Sequence, residues 1–384
     1  MNRELLALDF YGNELIAALA VLDEETDTLR LRHVLRKPCR SFAGAFVRDM
    51  AGAQEELSAV LNEMAEYTAS SLTVIVGLRG QFLSFKRSSG FQSVSTRNRI
   101  ISPRDEDAAI RNSVPTSLSD SLEVIDILPQ NYTIDGNTGI TDPKGMSGFM
   151  LEVETFLSCA LVTHLNTLSS VLNTCGISEY QILPSIIAQG ETLLTREEKQ
   201  AGALLLDIGQ AGTSAIVYHK GALVDAWELS NGREDLAQAV ADLLQNDLAT
   251  AKEVLKNYEP GSDEIMDELL EDANEKMLIS IKKELLQSLL YLKYPSPHVV
   301  LCGAWADTTL LKQCKKVFVA RKARLGNFDQ FITDITADHP AYAGTVSLIR
   351  HALDREQKQL GIAQEKEHGL IDGLLDKLGL GQLF

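Results

Sequence analysis

Residues 5–34 and residues 203–229 carry the same plan twice. The first copy reads "LLALDFYGNELIAALAVLDEETDTLRLRHV" and the second "ALLLDIGQAGTSAIVYHKGALVDAWEL". Each is an apolar strand ending in an aspartate, Asp9 or Asp207, then a glycine-bearing turn, a second apolar strand, a polar turn and a third strand. A helical pattern follows both copies: "AGAQEELSAVLNEMAEYTA" after the first and "EDLAQAVADLLQNDLATAKEVLKNY" after the second. Asp and Gly favour turns wherever they occur, so one such turn carries little weight. Two, at corresponding places, point to duplicated α/β halves, each opening with a three-stranded meander, that face each other across a cleft.

The composition suits two such cores. The chain has 384 residues, 45% hydrophobic and 23% charged, and a net charge of −17. That charge sets every phosphate-backbone contact against the field of the whole protein, so nucleic acid is not an expected partner. Cys39, Cys159, Cys175, Cys302 and Cys314 are scattered and without C-x-x-C spacing; they read as reduced thiols, not as a zinc site or a disulfide framework. No secretory pattern opens the chain and no apolar run approaches the roughly 20 residues that span a bilayer, so a cytoplasmic location is expected.

The segment "LPQNYTIDGNTGITDPKGMSGFMLEVETFL", residues 128–157, carries Tyr132, the turn Asp135-Gly136, the run Asp142-Pro143-x-Gly145-Met146-x-Gly148, and Leu151-Glu152. It resembles the signature of FtsA, the actin-related bacterial cell-division family. The resemblance continues through "GISEYQILPSIIAQGETLLTREEKQAGALLLDIG" and "DHPAYAGTVSLI". It implies the actin/Hsp70-like ATPase fold: an α/β architecture of two duplicated ribonuclease-H-like lobes with an inserted small α+β domain, 1C. The expected boundaries are 1–84, 166–200 and 335–355 for the first lobe (1A), 85–165 for 1C, 201–235 and 297–334 for the second lobe (2A), and 236–296 for the outer subdomain 2B. Residues 356–384 would form a linker and an amphipathic helix. The acidic stretch 259–277 reads as a solvated face of 2B.

By resemblance, the cofactor would be ATP with magnesium, the metal held through water by Asp9 and Asp207. FtsA-like sequences follow the first aspartate with Ile-Gly-Thr-Ser/Thr-Lys; here Phe10, Tyr11, Gly12, Asn13 and Glu14 follow Asp9. A large side chain replaces close backbone approach, and a carboxylate stands at the cation position. Two like charges about 4 Å apart at an effective dielectric of about 20 repel by about 4 kcal/mol; a Glu14 directed to solvent would escape that penalty. In the second turn Asp207, Gly209, Gly212 and Thr213 remain, while Gln210 and Ala211 break the family's run of glycines. At the adenosine side "HVVLCGAWADT" keeps Gly303 and substitutes Ala304 and Trp305, the latter readable as a cover for a purine or as a buried core residue. Gly232 precedes a helix whose N-terminus could face a phosphate. Glu253 and Lys256, three apart in "KEVLKNY", match residues that contact ribose and base in the family. Neither turn carries a lysine or arginine, so nucleotide binding is expected to be weakened or lost, and rapid hydrolysis is not expected.

At the end of the chain Leu370, Ile371, Leu374, Leu375 and Leu378 recur at helical spacing, as in the membrane-binding helix of FtsA-like proteins, although that segment is not basic. The resemblance thus implies a cytoskeletal adaptor in cell division. It would oligomerise through its actin-like body, bind the C-terminal tail of FtsZ, and act as a peripheral protein on the cytoplasmic face of the membrane at the division site. The other readings are an ATP-hydrolysing enzyme of the actin/Hsp70/sugar-kinase superfamily and a pilus-assembly actin homologue.

Overall fold

The computed structural model describes residues 2–357 apart from 27, 70, 71, 96, 260, 289, 290, 292, 294, 295, 329–331 and 334–339. The chain divides into two compact units, residues 1–85 with 160–349, and residues 86–159 with 350–384.

In the first unit, β1 (Asn2–Tyr11), β2 (Glu14–Asp23) and β3 (Thr28–Pro38) form an antiparallel meander. A short hairpin, β4 (Phe42–Ala43) and β5 (Phe46–Val47), and helix α1 (Met50–Ala65) lead to β6 (Leu72–Leu78), which lies parallel to β1. The Asp49 side chain caps α1 by accepting from the N–H groups of Ala51 and Gly52. The chain then runs through the second unit and returns in α3 (Val162–Thr174), β11 (Gln181–Pro184), α4 (Ser185–Leu193) and α5 (Arg196–Ala201).

The second meander is β12 (Ala203–Ile208), β13 (Thr213–His219) and β14 (Ala222–Leu229). Helices α6 (Glu234–Leu244), α7 (Leu248–Asn257) and α8 (Glu264–Leu285) follow, then β15 (His298–Cys302), α9 (Thr308–Val317), β16 (Lys322–Leu325) and β17 (Ile332–Thr333); residues 340–357 are again helical.

The strand orders make the duplication explicit. One sheet runs β11-β6-β1-β2-β3-β17 and the other β14-β13-β12-β15-β16. In both, an antiparallel meander is extended on the side of its first strand by two further parallel strands. The first strand of each is buried on both faces, which is why "LLAL" and "ALLLDI" read as continuous apolar runs and not as alternation. Leu204, Leu206, Val217, Leu236, Leu278 and Leu301 centre the core of the second half. This is the two-lobed actin-type plan expected from the sequence.

The second unit holds a four-stranded sheet ordered β7-β10-β8-β9, with β7 at Leu83–Ser93, β8 at Leu122–Ile134, β9 at Asn137–Ile140 and β10 at Met150–Leu161. Helix α2 (Pro103–Asn112) starts in a capping box between Ser102 and Asp105, with Pro103 at its first position. The motif residues noted in the sequence build this unit. Asp135 (φ +48°) and Gly136 (φ +85°) turn β8 into β9, and the Asp135 carboxylate accepts from the N–H groups of Phe149 and Met150. Gly148 lies against Ile134 so closely that a Cβ would sit 2.2 Å from its Cγ2.

Candidate functional site

Register brings the two aspartates to one place. Asp9 sits opposite Gly77 at the end of β1 and β6, and Asp207 sits opposite Cys302 at the end of β12 and β15. These are the carboxyl ends of parallel strands, where open α/β sheets bind ligands. Here the site is filled by the chain itself. Two residues beyond Gly77, Arg79 turns inward and is 5% exposed; Asp9 and Asp207 are 1% and 2% exposed.

The Arg79 guanidinium spans both carboxylates. Its Nε and Nη2 donate to Asp9 Oδ1 and Oδ2 at 3.1 and 3.0 Å, and its Nη1 donates to Asp207 Oδ2 at 2.9 Å. The remaining valences are also taken. Ser185 Oγ at the start of α4 donates to Asp9 Oδ1 at 2.8 Å, and Thr345 Oγ1 to Oδ2 at 3.4 Å. Tyr11 Oη donates to Asp207 Oδ1 at 2.5 Å and Gln189 Nε2 donates to Oδ2. Arg79 also lies over the Tyr11 ring, 4.5 Å from its centroid. Burial alone would lower the arginine's pKa, but Asp207 and Asp9 more than offset it and hold it above its ordinary value. Burial, then Asp207, pushes the Tyr11 phenol well above its usual range, so it stays a donor.

Glu228 on β14 forms the edge of this cluster. It accepts from Ser214 Oγ at 2.8 Å and from the Gly80 N–H at 3.2 Å, while its second oxygen is buried with no hydrogen-bond partner. Burial raises its pKa to about 7, against the opposing pull of Arg79.

The expected phosphate turns meet here, and part of their hydrogen-bonding capacity is already used within the chain. Gly12 (φ +64°) faces Ala211, a Cβ on it lying 3.8 Å from that of Ala211. The Gly209 N–H donates to the Gly212 carbonyl, and the N–H groups of Arg233 and Glu234, at the start of α6, donate to the carbonyls of Gly209 and Gln210. Gly232 packs under this turn: a Cβ would meet Gly212 N at 2.6 Å. Thr213 Oγ1 donates to the Asn231 carbonyl at 2.7 Å. The clearance over the glycines is occupied by Tyr11, whose ring would lie 3.0 Å from a Cβ on Gly209 and whose hydroxyl would lie 3.0 Å from one on Gly303.

The other residues singled out in the sequence lie in and around this site. Glu14 does not face the turn: its carboxylate pairs at 2.5 Å with Arg36 across the β2–β3 ladder. Phe10 is not in the site either; it enters the core against Phe42, with ring centroids 4.7 Å apart, and Tyr11 is the residue that fills the space. Trp305 is 36% exposed, so it is no core residue, and Arg233 stacks on it at 4.3 Å. Asn13 is exposed, and its carbonyl accepts from the Cys39 N–H. Glu253 and Lys256 are exposed on α7. Asp9 and Asp207 were expected to hold magnesium; with every oxygen committed, they do not fit a hydrated octahedral ion in this arrangement. Among the described residues no group of three or more His, Cys, Asp or Glu is placed to hold a metal. Leu370, Ile371, Leu374, Leu375 and Leu378 lie outside the described residues.

Arg79, Ser185, Gln189, Glu228 and Thr345 escaped sequence reasoning. Arg79 had a signal: a cation ending the apolar strand "LTVIVGL", next to the strand that carries Asp9.

Comparison with known proteins places the fold. Residues 80–158 match the model of the SHS2 domain inserted in FTSA. The chain is 28% identical over 208 residues to the cell division protein FtsA of Bacillus subtilis, covering 53% of this chain and 47% of that protein. It is 22% identical over 258 residues to FtsA of Neisseria meningitidis, covering 67% and 62%. The matches therefore span about half to three fifths of these relatives. Among solved structures, the PilM-PilN type IV pilus biogenesis complex superposes with a TM-score of 0.65 at 16% identity, covering 90% of this chain and 97% of that one. MreB5 of Spiroplasma citri bound to ADP gives 0.50 at 12% identity, covering 94% and 98%. These likenesses establish the actin-like fold.

Proposed function

Since the chain is a divergent relative of FtsA built on the actin-like fold, we propose that it is a cell-division adaptor: it self-associates through its actin-like body, binds the C-terminal tail of FtsZ, and is held as a peripheral protein on the cytoplasmic face of the membrane by its last residues. The central cleft is degenerate in this reading and takes no magnesium–ATP. The observation that carries the division assignment is the match of residues 80–158 to the domain inserted in FtsA, set within a chain whose sequence relatives are division proteins. The likeness to a pilus protein is one of fold. The filled cleft argues against an ATP-hydrolysing enzyme, which needs a free cation and open backbone donors at the phosphates.

The test is vesicle sedimentation with the full chain, a chain lacking 369–384, FtsZ, and FtsZ without its C-terminal tail. The full chain should pellet with anionic vesicles and carry intact FtsZ down with it, the shortened chain should stay in solution, and tailless FtsZ should not be recruited. Recruitment that ignores the FtsZ tail, or pelleting that ignores the deletion, sinks the corresponding part of the proposal.

A further inference from the structure

We infer that Arg79 is the chain's own occupant of the site between the two duplicated sheets, a built-in cation that ties β1 to β12 in place of a metal-bound nucleotide. This deepens the degenerate-cleft part of the proposed function by naming how the site is governed, and it stands independently of the FtsZ and membrane parts.

Three observations carry it. First, one side chain closes both halves. Asp9 belongs to the first meander and Asp207 to the second, and the planar fork of Arg79 reaches the two at once, with ion-pair distances of 3.0 and 2.9 Å. A lysine in the same place is a point charge without that span. Second, the surroundings are cut to the guanidinium. A Cβ on Gly344 would lie 2.1 Å from Arg79 Nη2 and 3.0 Å from Asp9 Oδ2, so the helical backbone there approaches as closely as glycine permits. Tyr11 lies beneath the guanidinium, with its ring at Gly209 and its hydroxyl at Gly303.

Third, the charges close the site to competitors. Asp9, Asp207 and Arg79 together leave one net negative charge in a buried position, so a polyphosphate meets repulsion from two carboxylates. A magnesium ion would have to displace the arginine that pairs with both carboxylates. Displacing it would break a buried ion pair, and removing one partner of such a pair is strongly destabilising. The pocket that binds a ligand in an open actin-type cleft is thus a permanent ion pair here, and closure of the two halves needs no ligand.

The experiment is thermal unfolding of the full chain together with hydrogen exchange. For the wild type, magnesium alone and magnesium–ATP up to millimolar concentration should leave the midpoint unchanged, because a ligand stabilises only what it binds. The amides of Gly209, Arg233 and Glu234 should exchange slowly and at the same rate with and without magnesium–ATP. Arg79→Ala should lower the midpoint by roughly 5 °C. Methylguanidine, below denaturing concentrations, should restore it saturably where methylamine does not; Arg79→Lys should resemble the alanine variant. A wild-type midpoint raised by magnesium–ATP, or slowed exchange at those amides with it, overturns the inference even if the variants fail to fold. So does an Arg79→Ala protein as stable as the wild type, or one rescued equally by methylamine. Loss of FtsZ recruitment with these results intact would instead count only against the division reading.

Discussion

Glu228 is a buried carboxyl with one oxygen bonded to Ser214 and Gly80 and the other unpartnered, and its neighbours decide how it titrates. Burial raises it from 4.5 to about 7, Arg79 draws it back, and Asp207 adds to the rise. A raised folded-state pKa means that the folded chain holds the proton more tightly than the unfolded one. The resulting stability is fully present below about 4.5 and is lost as pH climbs through 7, a total on the order of 3 kcal/mol. Urea unfolding between pH 5 and 8 should show this loss in the wild type, and Glu228→Gln should flatten that component. An unchanged slope in the glutamine variant would remove Glu228 as its source.

At the same scale lies the limit of what the sequence discloses. Glu14 reads as a charge aimed at a phosphate only until the β2–β3 register is known, since its partner Arg36 is fixed by ladder pairing and not by proximity in sequence. Arg79 is 70 residues from Asp9 and 128 from Asp207, a pairing that no local pattern encodes. Asp9 and Asp207 themselves were legible, because a carboxylate ending an apolar strand before a glycine turn is a local event.

At the scale of elements, the meanders and the helices after them follow from periodicity and punctuation. The motif around Asp142 shows a difference between being recognisable and being structural. Asp135 holds two backbone N–H groups, those of Phe149 and Met150, while occupying φ +48°. Asp142 holds one, that of Lys144, with its side chain 65% exposed. Asp135→Ala should therefore cost about 2–3 kcal/mol, with lost exchange protection at Phe149 and Met150, whereas Asp142→Ala should stay within about 0.5 kcal/mol. Equal effects would mean that the β8–β9 turn does not depend on this carboxylate.

At the scale of the molecule, the repeated strand order is what the sequence shows best, since both copies of the meander and their flanking parallel strands obey the same hydrophobic logic. What it hides is the relation between the copies. Whether a cleft is open, liganded or sealed depends on side chains converging from β1, β6, β12, β14 and two helices. In the proposed reading Arg79 seals the cleft, and the self-association proposed above should be blind to nucleotide. Sedimentation velocity of the full chain across a concentration series should give the same distribution with magnesium–ATP, with magnesium–ADP and with neither, and a shift toward larger species with one nucleotide would contradict this.

The ion pair between Arg79 and Asp207 also sets an order of events during synthesis. A ribosome adding about 5–20 residues per second leaves the 128 residues between them a gap on the order of ten seconds. Throughout that gap the nascent amino-terminal strands carry a guanidinium with half its counter-charge and a tyrosine without its acceptor. The first sheet is thus made early but finished late, and chaperones that dwell on emerging chains have that interval in which to act.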